Sequence, residues 1–124
     1  MRGSKEEVPT IMESGGVVIR LTEWGGLNVG LGTFPAGTDT APIFKGLPDD
    51  RCQCPHWGYV LEGRVRVRYR DREEMLEAGD AYYMEPGHTT VFEEDTEVVE
   101  FSPKDEYQKT MEVAGRNFEA MQRA

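Results

Sequence analysis

Only two histidines and two cysteines occur in 124 residues. Cys52 and Cys54 stand one residue apart, which is no disulfide framework. On a strand their Cα atoms would sit near the upper limit for bridging, so a reducing cytoplasm is the expected setting. With so few histidines no Ser/His/Asp constellation is legible, and no glycine-rich phosphate loop precedes a helix. No apolar run approaches the ~20 residues that a membrane-spanning helix needs. Positive charge is scarce: 14 Lys and Arg against 23 Asp and Glu leave a net charge of −9. That balance argues against nucleic acid or an anionic membrane as partner. The stretch Met1-Arg2-Gly3-Ser4-Lys5-Glu6-Glu7 is too polar for a secretory signal. Internal repeats and low-complexity segments are absent, and the length suits one domain with a modest core.

What is present is strand and turn. Val17-Val18-Ile19-Arg20-Leu21-Thr22 reads as a strand closed by Gly25-Gly26. Leu27 to Phe34 alternates large with small residues, which leaves one face nearly bare. Such a face serves either close strand packing or a pocket floor kept open. Residues 35–50 hold three prolines and little periodicity, and they read as a long loop, a common place for a lid. From Cys52 to Pro103 the punctuation is regular. Leu61-Glu62-Gly63, Ala78-Gly79-Asp80 and Glu85-Pro86-Gly87 separate short strands, the pattern of an antiparallel sandwich or barrel.

At these residues the chain resembles the cupins. Gly58-Tyr59-Val60-Leu61-Glu62-Gly63 is similar to the end of the first cupin motif. Ala78-Gly79-Asp80, followed by Tyr82-Tyr83-Met84-Glu85-Pro86-Gly87-His88, is similar to the second. The resemblance implies the β-barrel fold and a family metal site of three His and one Glu. At the positions that match, this sequence differs. Counting back from Gly63 puts His56 at the Glu position, and Cys52 and Asp50 at the two His positions. In the second motif Glu85 falls on the family's Pro and Thr90 on its His, with the histidine displaced to His88.

The candidate metal ligands are therefore Cys52, Cys54, His56 and His88. Side chains alternate along a strand, so Cys52, Cys54 and His56 would share a face if no bulge intervenes. His88 and Thr90 would share a face on a later strand. If the cupin pairing holds, the two sets meet inside the barrel. Thiolate with imidazole suits zinc, iron or copper better than magnesium or calcium. The alternative use is structural: a buried Cys as a small hydrophobe, and a His satisfied by a backbone carbonyl. Glu62 and Glu100 read as exposed strand residues beside turns rather than as pocket carboxylates.

Trp57, Tyr59 and Leu61 fall on the opposite face from the cysteines, where sheet packing or a dimer interface would use them. Arg64, Arg66, Arg68, Arg70 and Arg72 alternate with Val65, Val67 and Tyr69. Cross-strand pairing with Glu73, Glu74 or Glu77 is preferred to an anion-binding patch. After Ser102-Pro103 the period changes. Ser102 reads as an N-cap, and Tyr107, Met111, Ala114, Phe118 and Met121 recur at helical spacing.

The expectation is an all-β, cupin-type antiparallel β-barrel or jelly roll over residues 8–103. An amphipathic C-terminal helix over residues 104–123 would pack on the barrel or on a dimer partner. The expected function is small-molecule binding, with a transition metal (zinc, iron or copper) in the pocket. The alternative is a metal-dependent enzyme of isomerase or dioxygenase type acting on a small polar substrate. Expected partners are that small molecule and a second copy in a homodimer, without nucleic acid or membrane.

Overall fold

The computed structural model describes residues 1–123. Its strands are β1 (Thr10–Ser14), β2 (Val17–Trp24), β3 (Leu27–Phe34), β4 (His56–Glu62), β5 (Arg64–Arg68), β6 (Glu73–Glu77), β7 (Ala81–Met84), β8 (Thr89–Phe92) and β9 (Thr96–Pro103). Two short 3-10 turns, Ala41–Phe44 and Pro48–Asp50, lie between β3 and β4, and the α-helix α1 (Lys104–Arg123) follows β9 directly. The strands form a six-stranded sheet ordered β1-β2-β3-β9-β4-β7 and a three-stranded sheet ordered β6-β5-β8. All pairings are antiparallel, and the architecture is a jelly roll. The first two hairpins are two-residue loops, Gly15-Gly16 and Gly25-Gly26, with every glycine at positive φ. Side chains rarely adopt that conformation, and it matches the twist of the flanking strands.

The core between the sheets follows from period-2 alternation. On β5, Val65 and Val67 point in while Arg64 and Arg68 point out. Val60, Val67, Tyr69, Tyr82, Met84 and Val98 form the central cluster. Phe34 stacks on Phe92 beside it, with ring centroids 4.1 Å apart. The arginine row is paired across the sheet. Arg66 meets Glu73 at 3.1 Å and Glu93 at 2.6 Å, Arg68 meets Glu73 at 3.1 Å, and Arg64 meets Glu77 at 3.4 Å. These pairs are solvated and each contributes little stability. They engage Arg64, Arg66 and Arg68 with carboxylates of the neighbouring strands and loop.

A second cluster closes one end of the sandwich. Phe44, Cys52, Cys54 and Ala114 are buried there, with Ile43, Leu47, Tyr107 and Met111 packed against them. Helix α1 thus lies on its own chain, through Tyr107, Met111 and Ala114 of the expected stripe and also Thr110. The stripe runs off the body in the last turns, where Met121 is exposed. Ser102 is not spent on a helix cap. Strand β9 continues past it to Pro103, which pairs with Leu27, and the Ser102 hydroxyl meets His56 instead.

Part of the 35–50 segment is strand-like in its pairing. The Gly37 N–H donates to the Phe92 carbonyl at 2.7 Å, and the Thr40 N–H to the Thr90 carbonyl at 2.9 Å. Further on, the Asn117 side-chain amide donates to the Ile43 and Lys45 carbonyls, each at 2.8 Å. The helix therefore holds this segment against the open end. Among the described residues no helix is long and apolar enough to cross a membrane.

Candidate metal centre and ligand cavity

The donors come from the segment before β4, the start of β4 and the turn before β8, with Ser102 of β9 behind them. Cys52 lies opposite His88 in an isolated antiparallel bridge: its N–H donates to the His88 carbonyl at 2.9 Å, and the His88 N–H donates back at 3.2 Å. That pairing sets the two side chains side by side. His56 opens β4 with an inward side chain, and its Nε2 lies 3.6 Å from Cys52 Sγ. One donor atom each from Cys52, His56 and His88 lies within 4.8 Å of the others, and all three residues are buried.

Hydrogen bonds aim both rings. The His88 Nδ1–H donates to the Glu85 carbonyl at 2.7 Å, because a carbonyl can only accept. Nε2 of His88 is thereby left with its lone pair free. Burial, helped by nearby His56, pushes the His88 pKa down to about 4, so the imidazole is neutral at neutral pH. Nδ1 of His56 lies 2.6 Å from Ser102 Oγ, which turns Nε2 toward Cys52. A ligating histidine whose other nitrogen is held by a fixed partner is the usual arrangement around a metal.

Burial pushes the Cys52 thiol up to about 12 from an ordinary 9.0. At 1.36 kcal/mol per pKa unit, thiolate there costs roughly 4 kcal/mol more than at an exposed cysteine. A structural zinc site gains ~10–16 kcal/mol, so a metal can displace this proton. Without one the sulfur stays protonated. The donor set fits a soft or borderline divalent metal.

Cys54 lies outside this group. It is fully buried beside Phe44 and Ala114, and its thiol donates to the Pro55 carbonyl at 3.4 Å. The ladder of β4 begins only at His56, so the alternation expected for residues 52–56 does not apply. Thr90 hydrogen-bonds Thr40 and lines the cavity described next.

A cavity of about 120 Å³ lies between the sheets against these donors. Its walls are mostly apolar, including Phe34, Met84, Phe92 and Val98, while Ile43 and Phe44 reach it from the 35–50 segment. Tyr107, Thr110 and Met111 of α1 line it as well. A niche of about 60 Å³ adjoins it over Gly30 and Gly32. The bare face of β3 serves both anticipated uses. A Cβ on Gly32 would meet the Phe34 ring at 2.5 Å, so that glycine permits close packing, whereas Gly30 opens onto the niche.

Sequence reasoning set Glu100 aside, and the structure puts it in the cavity. Thr96, Val98, Glu100 and Ser102 form one face of β9, and the other three are buried. That period-2 pattern in the sequence is the signal that places Glu100 on the inward face. The Tyr82 hydroxyl donates to Glu100 Oε1 at 2.7 Å, and Oε2 lies 3.7 Å from His56 Nδ1. Glu62 is exposed, as expected.

The cupin domain family matches residues 49–101, a span that contains Cys52, His56, His88 and Glu100. The chain carries a cupin domain. Solved cupins agree in fold. An RmlC-like cupin from Shewanella frigidimarina is 19% identical, with 82% of this chain and 88% of that one covered at a TM-score of 0.58. KdgF from Halomonas sp. is 20% identical, with 81% and 92% covered at 0.57. An oxalate decarboxylase variant from Bacillus subtilis is 16% identical, with 82% of this cupin but 28% of that chain covered at 0.59. At such identities the likeness concerns the fold alone. No curated protein matches the chain.

Proposed function

We propose that this cupin binds a small molecule in the inter-sheet cavity, beside a transition metal held by Cys52, His56 and His88. One observation carries the reading: a thiol and two imidazoles converge within 4.8 Å on the wall of a buried cavity. Zinc, iron and copper suit that donor set. When bound, the metal would supply a Lewis acid with a position open to the ligand. The protein's own part is to fix the His88 tautomer through Glu85, to orient His56 through Ser102, and to exclude water with the helix and the 35–50 segment.

A metal-dependent enzyme of isomerase or dioxygenase type is the second reading. It is favoured by the donor count, since three protein ligands resemble catalytic sites more than closed four-ligand structural ones. We further propose a homodimer through the outward aromatic face of β4 and β7. There Trp57, Tyr59, Leu61 and Tyr83 are exposed, and Trp57 stacks on Tyr83 with centroids 5.1 Å apart. The two free cysteines suit a reducing cytoplasm.

The deciding experiment is elemental analysis of protein purified without a metal-affinity column, repeated on H56A and H88A. Wild type is expected to carry one equivalent of zinc, iron or copper. Either single variant should lose it while remaining folded, and the double variant should lose nothing further, because one missing ligand already empties the site. Metal-free wild type that also refuses added zinc, iron and copper overturns the metal centre.

A further inference from the structure

Glu100 is the one acidic residue lining the cavity and its niche, and no Lys or Arg of the described residues lines either. Its carboxylate is half satisfied. Oε1 accepts the Tyr82 hydroxyl at 2.7 Å, while Oε2, at 3.7 Å from His56 Nδ1, accepts no hydrogen bond from a described residue. Tyr82 is a neutral donor here: burial, then the Glu100 charge, raises its pKa well above the ordinary 10.0. The carboxylate is about a quarter exposed, and Oε2 is open to a further donor that no Lys or Arg of the cavity lining supplies. The strand was shaped to hold it in this pose. Gly58 stands between Tyr82 on β7 and Glu100 on β9, and its missing side chain is the space through which the phenol reaches the carboxylate.

We propose that the cavity is selective for a small apolar amine in its protonated form, with Glu100 as the counter-ion. This deepens the small-molecule reading above and rests on its cavity, but not on its metal. The apolar walls take the hydrocarbon part, and a volume of about 120 Å³ suits a guest of roughly benzene size. The ammonium donates to Glu100 Oε2, forming a charge-assisted hydrogen bond. In the metal-free protein a carboxylate ligand meets Glu100 with the wrong sign, and no Lys or Arg of the described residues lines the cavity to offset it.

The test compares benzylamine, benzyl alcohol and benzoate by calorimetric titration. Each is run on protein of measured metal content, with and without chelator. In the chelator-treated protein benzylamine is expected to bind at least about tenfold more tightly than benzyl alcohol, with benzoate weakest. E100Q keeps an acceptor for Tyr82, and it should lose that preference while binding benzyl alcohol as before. Melting curves establish that E100Q is folded, and Y82F, which keeps the charge, should retain the preference for the amine. Equal binding of amine and alcohol by wild type, tighter binding of benzoate, no binding at all, or unchanged amine affinity in folded E100Q would each overturn the proposal. Metal content is read separately, so an amine-binding protein that neither carries nor takes up zinc, iron or copper rejects only the metal centre, and a metal-loaded protein indifferent to amines rejects only this inference.

Discussion

Tyr82 lies across Gly58. A Cβ at position 58 would stand 2.5 Å from the Tyr82 hydroxyl and 2.5 Å from the Val99 carbonyl. The first of these neighbours is the group that reaches Glu100, and the second is backbone that cannot swing away. Gly58→Ala should therefore lower stability by about 1–3 kcal/mol, the usual cost of overpacking. Y82F removes only the hydrogen bond to the carboxylate and should cost about 1.5–3 kcal/mol. Chemical denaturation of both variants measures each loss. A G58A protein as stable as wild type would show that the strand shifts freely at this point.

Much of the fold was legible because it rests on local rules. The Gly25-Gly26 pair marked one hairpin, and the Val–Arg alternation of β5 separated core from solvent. The two cupin motifs placed β4, β7 and β8. The site was legible only in part. Cys52 and His88 are brought together by an isolated bridge rather than by strand parity, and nothing in a single sequence announces such a bridge. Ser102 had a sound local reading as a helix cap. The ladder to β3 overrode it, and the hydroxyl serves His56. Glu100 was missed because its pose depends on Tyr82, two strands earlier in sequence, having room to reach it.

The helix is expected to hold the loop. Asn117→Ala removes two hydrogen bonds to the Ile43 and Lys45 carbonyls, which should cost about 1–3 kcal/mol in all. Hydrogen exchange should accelerate first at residues 41–45 and last in β3 and β9. Truncation after Pro103 is more severe, since it uncovers Phe44, Cys52 and Cys54. Each large apolar side chain exposed forfeits about 1.5–3 kcal/mol, so the melting temperature should fall well before any change in the jelly-roll strands. An unchanged melting curve would mark the helix as dispensable.

Outward aromatics on one sheet face give a prediction about assembly. Trp57, Tyr59 and Tyr83 are each nearly half exposed and adjacent in register. Trp57→Ser with Tyr83→Ser should convert a sedimenting dimer to monomer while leaving the far-ultraviolet spectrum intact. Wild type that sediments as a monomer at tens of micromolar removes the dimer from consideration.

For metal-stripped protein, His88 sets an acid limit. Its folded pKa, near 4, is below the ordinary 6.5, so the unfolded chain takes the proton first. Stability is then full above about pH 6.5 and declines as pH falls toward 4. The contribution amounts to about 3 kcal/mol at 1.36 kcal/mol per unit. Denaturation midpoints measured in chelator from pH 7.5 to 4.5 should fall in wild type and fall less in a folded H88N variant. Parallel curves would show that other groups govern the acid limb.

Cys52 makes the opposite demand on metal binding. With its thiol pushed up to about 12, essentially all of the sulfur is protonated from pH 6 to 9. His88 is already neutral over that range and gives up no proton. Loading the site must therefore release the Cys52 proton, and binding gains from every rise in pH. The thiol's share is a tenfold gain in apparent affinity per pH unit, with no plateau before pH 9. Zinc titration in a weak buffer with an indicator dye should register that proton. C52S should bind far more weakly and without the tenfold slope, since a serine hydroxyl does not ionise in this range. Metal binding by wild type that is independent of pH from 6 to 9 would remove Cys52 from the ligand set, leaving the two histidines to hold the ion with a ligand from solution.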